Sequence, residues 1–318
     1  METSIPILNN FLYYLMAVRN YSPKTIHDYS RDLQNFFKFI IEYQELNVKP
    51  KDLTVFILGT VKESTILQYL IYLHQYRNNC PKSRSKILGA IKCFYKWLFL
   101  KYPGTLQNKK NPTSEIPSIN SMERLPKYVK LKDAQRLQSI FNKNNSRFYI
   151  RNNAIITLFL NAGLRASELI NIDISDVDFN AKRVRIVGKG NKERVVLLTQ
   201  KSINAINKYL KTRTDKEEPL FINAKKQRFK VRGIEEVCEK AYDLAGLKDK
   251  KYTTHTLRHT SATYLYKSCK DILIVKEFLG HNSLASTQIY THILPEMAKD
   301  AVNKNPLNKI SNRKLSKK

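Results

Sequence analysis

Four stripes of apolar residues recur at helical spacing within the first hundred residues of this 318-residue chain. The first runs from Ile7 to Met16, and the second, from Ile26 to Ile40, follows Ser22-Pro23, a pair typical of a helix N-cap and first helical position. The third spans Ile66 to Leu73 and the fourth Ile87 to Leu98. Amphipathic helices of this length predict a compact helical bundle.

The pattern changes between Tyr102 and Pro126. This stretch contains Pro103-Gly104 and three further prolines, and it has little periodicity. Repeated prolines disfavour helix and favour extended chain. We therefore predict a helical domain over residues 1–105 and an interdomain linker over residues 106–126.

The region after the linker mixes helix and strand. Two β-rich runs, Arg183–Val187 and Arg194–Leu198, flank a Gly-Lys-Gly sequence, which predicts a β-hairpin with a glycine-rich tip. Leu220–Ile222 is predicted as a further short strand, and the pattern is helical again after Thr254. Predicted helices lie near Leu131–Asn142, Asn152–Asn161, Lys201–Lys211 and Val231–Ala245. The fold class is mainly α with a small β-sheet (α+β), with a mixed domain over 127–302 and a basic, mobile tail over 303–318.

Charge indicates the kind of partner. The chain has 56 Lys and Arg against 27 Asp and Glu, a net +29, which predicts a polyanion such as nucleic acid or an acidic membrane surface. Part of this charge forms a predicted DNA-binding face before and along the fourth helix, although a merely solvated surface is the alternative. The residues of this face are Lys82, Arg84, Lys86 and Lys92.

Several protein classes are disfavoured. The sequence has no run of about 18 apolar residues, and Met1-Glu2-Thr3-Ser4 lacks the basic start of a secretory signal. The four cysteines form no Cys-x-x-Cys pair, which argues against a zinc site or a disulfide framework. We expect a cytoplasmic protein with reduced thiols.

Four places carry residues suited to chemistry on a phosphate. Gly163 is predicted to end a helix, with Arg165 on the connection that follows and Glu168 three residues further on. Lys189 lies between two glycines at the hairpin tip. His255 and Arg258 fall on one face at a helix N-terminus, while His259 is expected to point away in a structural role.

The fourth place begins at Gly280, a predicted helix stop that exposes His281, with Tyr290 on the next helix. Each of these residues has an ordinary alternative: a surface arginine, a solvated lysine or a core tyrosine. Their order along the chain is Arg, Lys, His-x-x-Arg, His, Tyr.

In that order, the chain resembles the tyrosine recombinases of the phage integrase family, with the layout of the Xer-type enzymes. The resemblance rests on five segments between Lys127 and His292, and the helical N-terminal region resembles the family's SAM-like core-binding domain. The segments read AGLRASEL, GKGNKERVV, HTLRHTSAT, LGH and TQIYTH.

The resemblance implies a role for each matching residue. Tyr290 is the nucleophile on a DNA phosphodiester, and Arg165 and Arg258 hold the non-bridging oxygens. Lys189 protonates the departing 5′ oxygen; Lys192 is its rival for that role and a predicted DNA contact. The remaining roles are proton transfer by His255, support of the phosphate and Tyr290 by His281, and orientation of the basic groups by Glu168.

This set suits the chemistry without a cofactor or metal. Phosphoryl transfer develops negative charge that fixed guanidinium groups can stabilise, and each guanidinium can bind phosphate in a forked geometry. A free tyrosine has a pKa of about 10, so nearby cations or a base are needed to favour the phenolate.

The implied function is site-specific recombination of double-stranded DNA. A 3′-phosphotyrosyl intermediate and a Holliday junction would form within a synapse of four protomers, as a homotetramer or together with a related recombinase or accessory factor. The biological outcome is dimer resolution of chromosomes or plasmids, or integration and excision of a mobile element. No membrane partner is expected.

Three alternatives remain open from the sequence. A type IB topoisomerase uses similar residues but needs no synapsis, and a non-catalytic protein could bind the same DNA. A metal-dependent nuclease would use the acidic cluster of Asp173, Asp176 and Asp178, for which turn and capping roles are the competing interpretation.

Overall fold

The structure is a computed structural model that describes residues 3–105, 110–120, 126–142, 146–188, 193–280 and Thr287. The chain divides into two compact units, Met1–Glu123 and Arg124–Lys318. Among the described residues, every helix is too short or too polar to cross a membrane.

The N-terminal unit is a bundle of α-helices. The prediction at Ser22-Pro23 is confirmed, because the Ser22 hydroxyl accepts a hydrogen bond from the Thr25 amide at 3.3 Å and Pro23 opens the helix. A short helix and a 3-10 turn at Pro50–Asp52, which the sequence did not predict, join the second and third predicted helices. The helices are α1 (Pro6–Ala17), α2 (Pro23–Tyr43), α3 (Val55–Gly59), α4 (Glu63–Gln75) and α5 (Pro81–Lys101).

Aromatic side chains form the centre of this bundle. Phe94 on α5 packs edge-on against Phe11 of α1 at 5.3 Å and against Phe37 of α2 at 5.2 Å between ring centroids. Two residues of the predicted stripes do not belong to this core, since Met16 is 55% exposed and Leu67 is 41% exposed.

The described part of the predicted linker packs on the helical bundle. Ile116 is buried in the bundle core, and the Lys92 ammonium donates a hydrogen bond to the Ile116 carbonyl. Residues 110–120 therefore belong structurally to the N-terminal unit. Burial of the apolar Ile116 side chain in the core of the bundle stabilises this arrangement.

The second unit places helices around a small sheet. At its centre, α7 packs against α9 and α11 through fully buried residues such as Ile155, Ile156 and Phe159. The helices are α6 (Leu131–Ser139), α7 (Arg147–Ala162), α8 (Ala166–Ile170), α9 (Gln200–Leu210), α10 (Val231–Leu244), α11 (Thr254–Cys269) and α12 (Ile272–Leu279). The strands are β1 (Val177–Asp178), β2 (Arg183–Val187) and β3 (Glu193–Leu197), and 3-10 turns lie at Ile174–Asp176 and Lys248–Lys250.

The sheet confirms the predicted hairpin and the α+β fold class. Strands β1, β2 and β3 pair antiparallel in that order, and Ile186 lies opposite Arg194. The predicted strand at Leu220–Ile222 is wrong: its backbone forms an isolated bridge from Ile222 to Arg228 and a hydrogen bond from the Leu220 amide to the Ile172 carbonyl but joins no strand of the sheet, and its side chains are buried in the core. Burial of the apolar run, not pairing in the sheet, accounts for its composition.

Candidate active site

Arg165 is positioned by the end of α7 and the start of α8. Gly163 ends α7 in the left-handed conformation, with φ at +59°. A Cβ at Gly163 would lie 2.7 Å from the Phe278 ring, so both the turn and the close packing require glycine. Arg165 is the N-cap of α8, and its own amide donates a hydrogen bond to Glu168 Oε2 at 2.8 Å. Its guanidinium Nη1 donates to Glu168 Oε1 at 2.5 Å, and the side chain remains 34% exposed.

Arg258 comes from α11, which begins at Thr254 after the N-cap Thr253 and so confirms the predicted helix N-terminus. The Arg258 side chain is buried, and its two terminal nitrogens donate to the carbonyls of Gly163 at 2.6 Å and Leu279 at 2.7 Å. Arg258 thereby ties together the C-terminal ends of α7 and α12. Its Nη1 also lies 3.6 Å from Glu168 Oε2.

Glu168 brings the two predicted arginines together. Its side chain is 3% exposed, and Arg194 binds it with a fork: Nη1 to Oε1 at 2.8 Å and Nη2 to Oε2 at 3.0 Å. Burial alone would raise the pKa of Glu168. The hydrogen bonds from Arg194 and from the Arg165 amide, with the charge of Arg194, outweigh burial and lower the pKa to about 2. Three guanidiniums thus share one fixed carboxylate, which leaves two positive charges in excess for an anion.

Arg194 belongs to this site although it is not among the residues predicted from the sequence. On β3, Arg194 lies two residues before the buried Val196 and therefore on the same face, and it lies opposite the buried Ile186 of β2, so it is on the inward face of the hairpin. The alternation of side chains along the strand was the available signal. A charged residue on the core-facing side of a strand needs a buried partner, and Glu168 is that partner.

His255 lies at the surface on the first turn of α11. Desolvation lowers the pKa of His255 below its usual 6.5, and the positive charges of Arg258 and Arg165 lower it further. The imidazole is therefore neutral at pH 7 and can accept a proton. His259 is half-buried, and burial with the charges of His255 and Arg258 lowers its pKa to about 4.

Four predicted site residues, Lys189, Lys192, His281 and Tyr290, and the predicted tail over 303–318 lie outside the described residues. The structure does describe the chain that leads to two of them. Gly188 follows β2, and Gly280 ends α12 with φ at +62°, which confirms the predicted helix stop.

The predicted basic face of the N-terminal unit is only partly exposed. Lys82 and Lys86 are exposed, and the Lys86 ammonium lies 2.7 Å from Asp28 Oδ2. Arg84 is half-buried, and so is Lys92, whose ammonium is bound to the Ile116 carbonyl.

The three aspartates near β1 have structural roles. Each lies in an ion pair with an arginine, and Asp176 Oδ2 accepts a hydrogen bond from the Asp173 amide to close the 3-10 turn. In the part of the chain that the structure describes, no group of three or more His, Cys, Asp or Glu side chains is arranged to hold a metal ion. The pairs are Arg228–Asp173, Arg185–Asp176 and Arg183–Asp178.

Acid pH is expected to inhibit the reaction of this site through His255. Because the pKa of His255 is lowered, the rate of the reaction should fall as the pH drops through that lowered pKa, by up to about tenfold per pH unit, as the imidazole gains a proton. A pH profile of the single-turnover cleavage rate measures this. The fall in rate at acid pH should be absent in His255→Gln and present in His74→Gln, a variant on α4. If the rate of His255→Gln falls at acid pH as that of the wild type does, a group other than His255 is responsible.

In this α+β unit a buried carboxylate contacts three arginines near a neutral imidazole, and such groups suit a class of enzymes that act on phosphate esters. Comparison with known proteins narrows this class. Residues 127–297 match the model of the phage integrase family, and residues 8–101 match its N-terminal SAM-like domain.

Similar curated proteins are tyrosine recombinases. Tyrosine recombinase XerC of Caldanaerobacter subterraneus subsp. tengcongensis is 35% identical over 95% of this chain and 87% of its own length. Tyrosine recombinase XerD of Halalkalibacterium halodurans is 29% identical over 94% of this chain and 97% of its own length. A solved structure of XerH site-specific recombinase bound to its difH substrate covers 95% of this chain and 98% of its own, at 20% identity and a TM-score of 0.68. This chain belongs to the phage integrase family, and it is a tyrosine recombinase, an enzyme that cleaves and rejoins DNA.

Proposed function

We propose that this protein is a site-specific recombinase that exchanges DNA strands through a 3′-phosphotyrosyl intermediate. The observation that carries the proposal is the meeting of Arg165 and Arg258, far apart in sequence, at the buried carboxylate of Glu168. Two guanidiniums fixed side by side match the two non-bridging oxygens of one phosphodiester.

The cleavage step balances without an external energy source. The Tyr290 oxygen forms a bond to phosphorus while the bond from phosphorus to the 5′ oxygen breaks. His255 takes the phenolic proton, directly or through His281, and Lys189 donates a proton to the departing 5′ oxygen. One phosphodiester replaces another, so the energy of the broken linkage is kept and ATP is not needed.

Arg165 and Arg258 stabilise the charge that develops on the phosphate. Glu168 holds their nitrogens in place before DNA arrives, so little reorganisation is needed at the moment of reaction. Arg258 is held further by the Gly163 and Leu279 carbonyls. Two excess positive charges beside a neutral imidazole favour both phosphate binding and ionisation of the tyrosine.

Strand exchange requires a second DNA duplex. A free 5′ hydroxyl from the partner duplex attacks the phosphotyrosine, which yields a Holliday junction and then recombinant DNA. We propose a tetramer around two DNA sites, with residues 294–302 exchanged between neighbouring protomers. The outcome is dimer resolution or integration and excision of a mobile element.

A nicked suicide duplex tests the proposal. The nick lies close to the scissile phosphate, so cleavage releases a short fragment that carries the new 5′ hydroxyl. Because this fragment diffuses away, the covalent complex accumulates. The duplex pool carries a randomised central sequence, and EDTA is present throughout. A covalent protein–DNA band is expected for the wild type and its loss for Tyr290→Phe. A band that persists in Tyr290→Phe, or its absence from the wild type with every duplex, would overturn the proposal.

Salt dependence tests the DNA contact of the N-terminal unit. Each phosphate contact contributes about 0.9 to the slope of log affinity against log salt, so a Lys82→Ala/Lys86→Ala variant should have a slope shallower by about 1.8. Lys110→Ala is the matched control, because Lys110, like Lys86, is exposed and paired with a carboxylate, that of Glu115. Equal slopes for all three proteins would remove this face from the DNA interface.

A further inference from the structure

Arg194 connects three parts of the catalytic unit. Its backbone belongs to β3, the strand that follows the hairpin tip, and its guanidinium binds Glu168. Its side chain also packs over the backbone of Gly280 at the end of α12. A Cβ built on Gly280 would lie 2.6 Å from Arg194 Cδ, which is closer than carbon atoms approach.

The fork between Arg194 and Glu168 fixes the orientation of the carboxylate. Each oxygen of Glu168 accepts one nitrogen of Arg194 and also faces a second arginine: Oε1 accepts from Arg165 and Oε2 lies 3.6 Å from Arg258. Rotation of the carboxylate would break these contacts together. Arg194 therefore fixes the carboxylate that the Arg165 guanidinium binds and that the Arg258 guanidinium faces.

Arg194 differs from Arg165 in its surroundings. Its side chain is 16% exposed, against 34% for Arg165, and both of its terminal nitrogens are used by Glu168. The Arg165 guanidinium uses only Nη1 for Glu168. Arg194 thus supports the arginines from within the protein while Arg165 retains accessible donors.

We infer that Arg194 is a positioning residue for DNA cleavage, acting through Glu168 on the two arginines that hold the scissile phosphate. This inference rests on the proposed function. Arg194 itself contacts neither the phosphate nor the leaving oxygen. Loss of the fork should displace the arginines by a fraction of an ångström or more, and misplacement on this scale slows cleavage about 10²-fold.

Three substrates distinguish this role from others. The first is a nicked duplex with an ordinary scissile phosphate. In the second, a methylphosphonate replaces that phosphate, which removes a negative oxygen and with it part of the need for correctly placed guanidiniums. In the third, sulfur replaces the bridging 5′ oxygen. A thiol has a pKa of about 8.5, so this group departs without a proton donor.

Arg194→Gln should cleave the ordinary phosphate about 10²-fold more slowly than the wild type. Its deficit should shrink to less than about fivefold on the methylphosphonate and persist on the 5′-thio substrate. Lys189→Ala is the opposite control, since its deficit should shrink on the 5′-thio substrate alone. Arg194→Lys keeps the positive charge but cannot form the fork, so it should show the same pattern of deficits as Arg194→Gln. If Arg194→Gln does not fold, Arg194→Lys is used in its place.

Arg185→Gln on β2 is the matched control and should cleave all three substrates at wild-type rates. Wild-type cleavage by Arg194→Gln, a deficit equal on all three substrates, or rescue by the 5′-thio substrate would each overturn the inference. Failure of the wild type to cleave any substrate would instead refute the proposed function.

Discussion

Arg258→Ala is expected to slow covalent complex formation by about 10³-fold or more while DNA affinity changes only a few-fold. In the proposed mechanism, the guanidinium stabilises charge that appears mainly in the transition state, and loss of one such group costs about 10²- to 10³-fold, or more for a transition-state arginine. Affinity depends on many phosphate contacts along the duplex, of which this is one. Single-turnover cleavage of the nicked duplex and a binding titration measure the two effects.

The structure also predicts the behaviour of the conservative variant. Arg258 bridges the carbonyls of Gly163 and Leu279, and one lysine ammonium cannot reproduce that planar fork. Arg258→Lys should therefore remain at least about 10²-fold slower than the wild type. Arg232→Lys, on the exposed face of α10, is the control. Cleavage by Arg258→Lys within a few-fold of the wild type would contradict the account of this site.

Glu168→Gln is expected to damage both stability and cleavage. It leaves three arginines around a site without its negative charge, and removal of one partner of a buried ion pair costs about 3–5 kcal/mol. For a unit of this size, that loss lowers the unfolding midpoint by about 6–20 °C. Cleavage should fall about 10²-fold, because Arg165 and Arg258 lose their common support. Glu236→Gln, at an exposed position of α10, should leave both unchanged.

Unfolding at acid pH tests whether the negative charge of Glu168, and not only the shape of its side chain, stabilises the folded state. Its pKa is lowered to about 2 from 4.5, so its ionised form stabilises the folded state above about pH 4.5, and this contribution is lost as the pH falls towards 2. The stability difference between wild type and Glu168→Gln should therefore shrink by about 2 kcal/mol between pH 7 and pH 3. Urea unfolding at both pH values measures it. A difference that is the same at pH 3 and pH 7 would show that the charge is not what stabilises this site.

Local signals predicted most of the helices and the hairpin. The N-cap Ser22, the helix stops at Gly163 and Gly280 and the apolar stripes act within a few residues, where sequence and structure are closely linked. Strand β1 has only two residues, too few for a periodic pattern. A short apolar run such as Leu220–Ile222 is equally typical of a strand and of a buried loop, so only tertiary packing decides between the two.

In the candidate active site, too, some features follow from the sequence and others depend on tertiary packing. Residue order identified Arg165, Glu168, His255 and Arg258 through a family resemblance, yet no local rule brings Arg258 beside Glu168, because that contact depends on the packing of α7, α11 and α12. In the sequence, Arg194 stands out only as one residue of a β-rich run. Its inward position follows from strand alternation, but its partner is known only once β3 packs beside α8.

The most direct test of the central claim is to identify the amino acid that becomes linked to DNA. The covalent complex from the nicked duplex is digested with nuclease and trypsin and analysed by tandem mass spectrometry. Trypsin cuts after Lys276 and after Lys299 and releases peptide 277–299. Of the 18 tyrosines in the chain, this peptide contains Tyr290 alone. The account predicts a nucleotide joined to Tyr290 through its 3′ phosphate. A nucleotide on another side chain, or one joined through a 5′ phosphate, would contradict it.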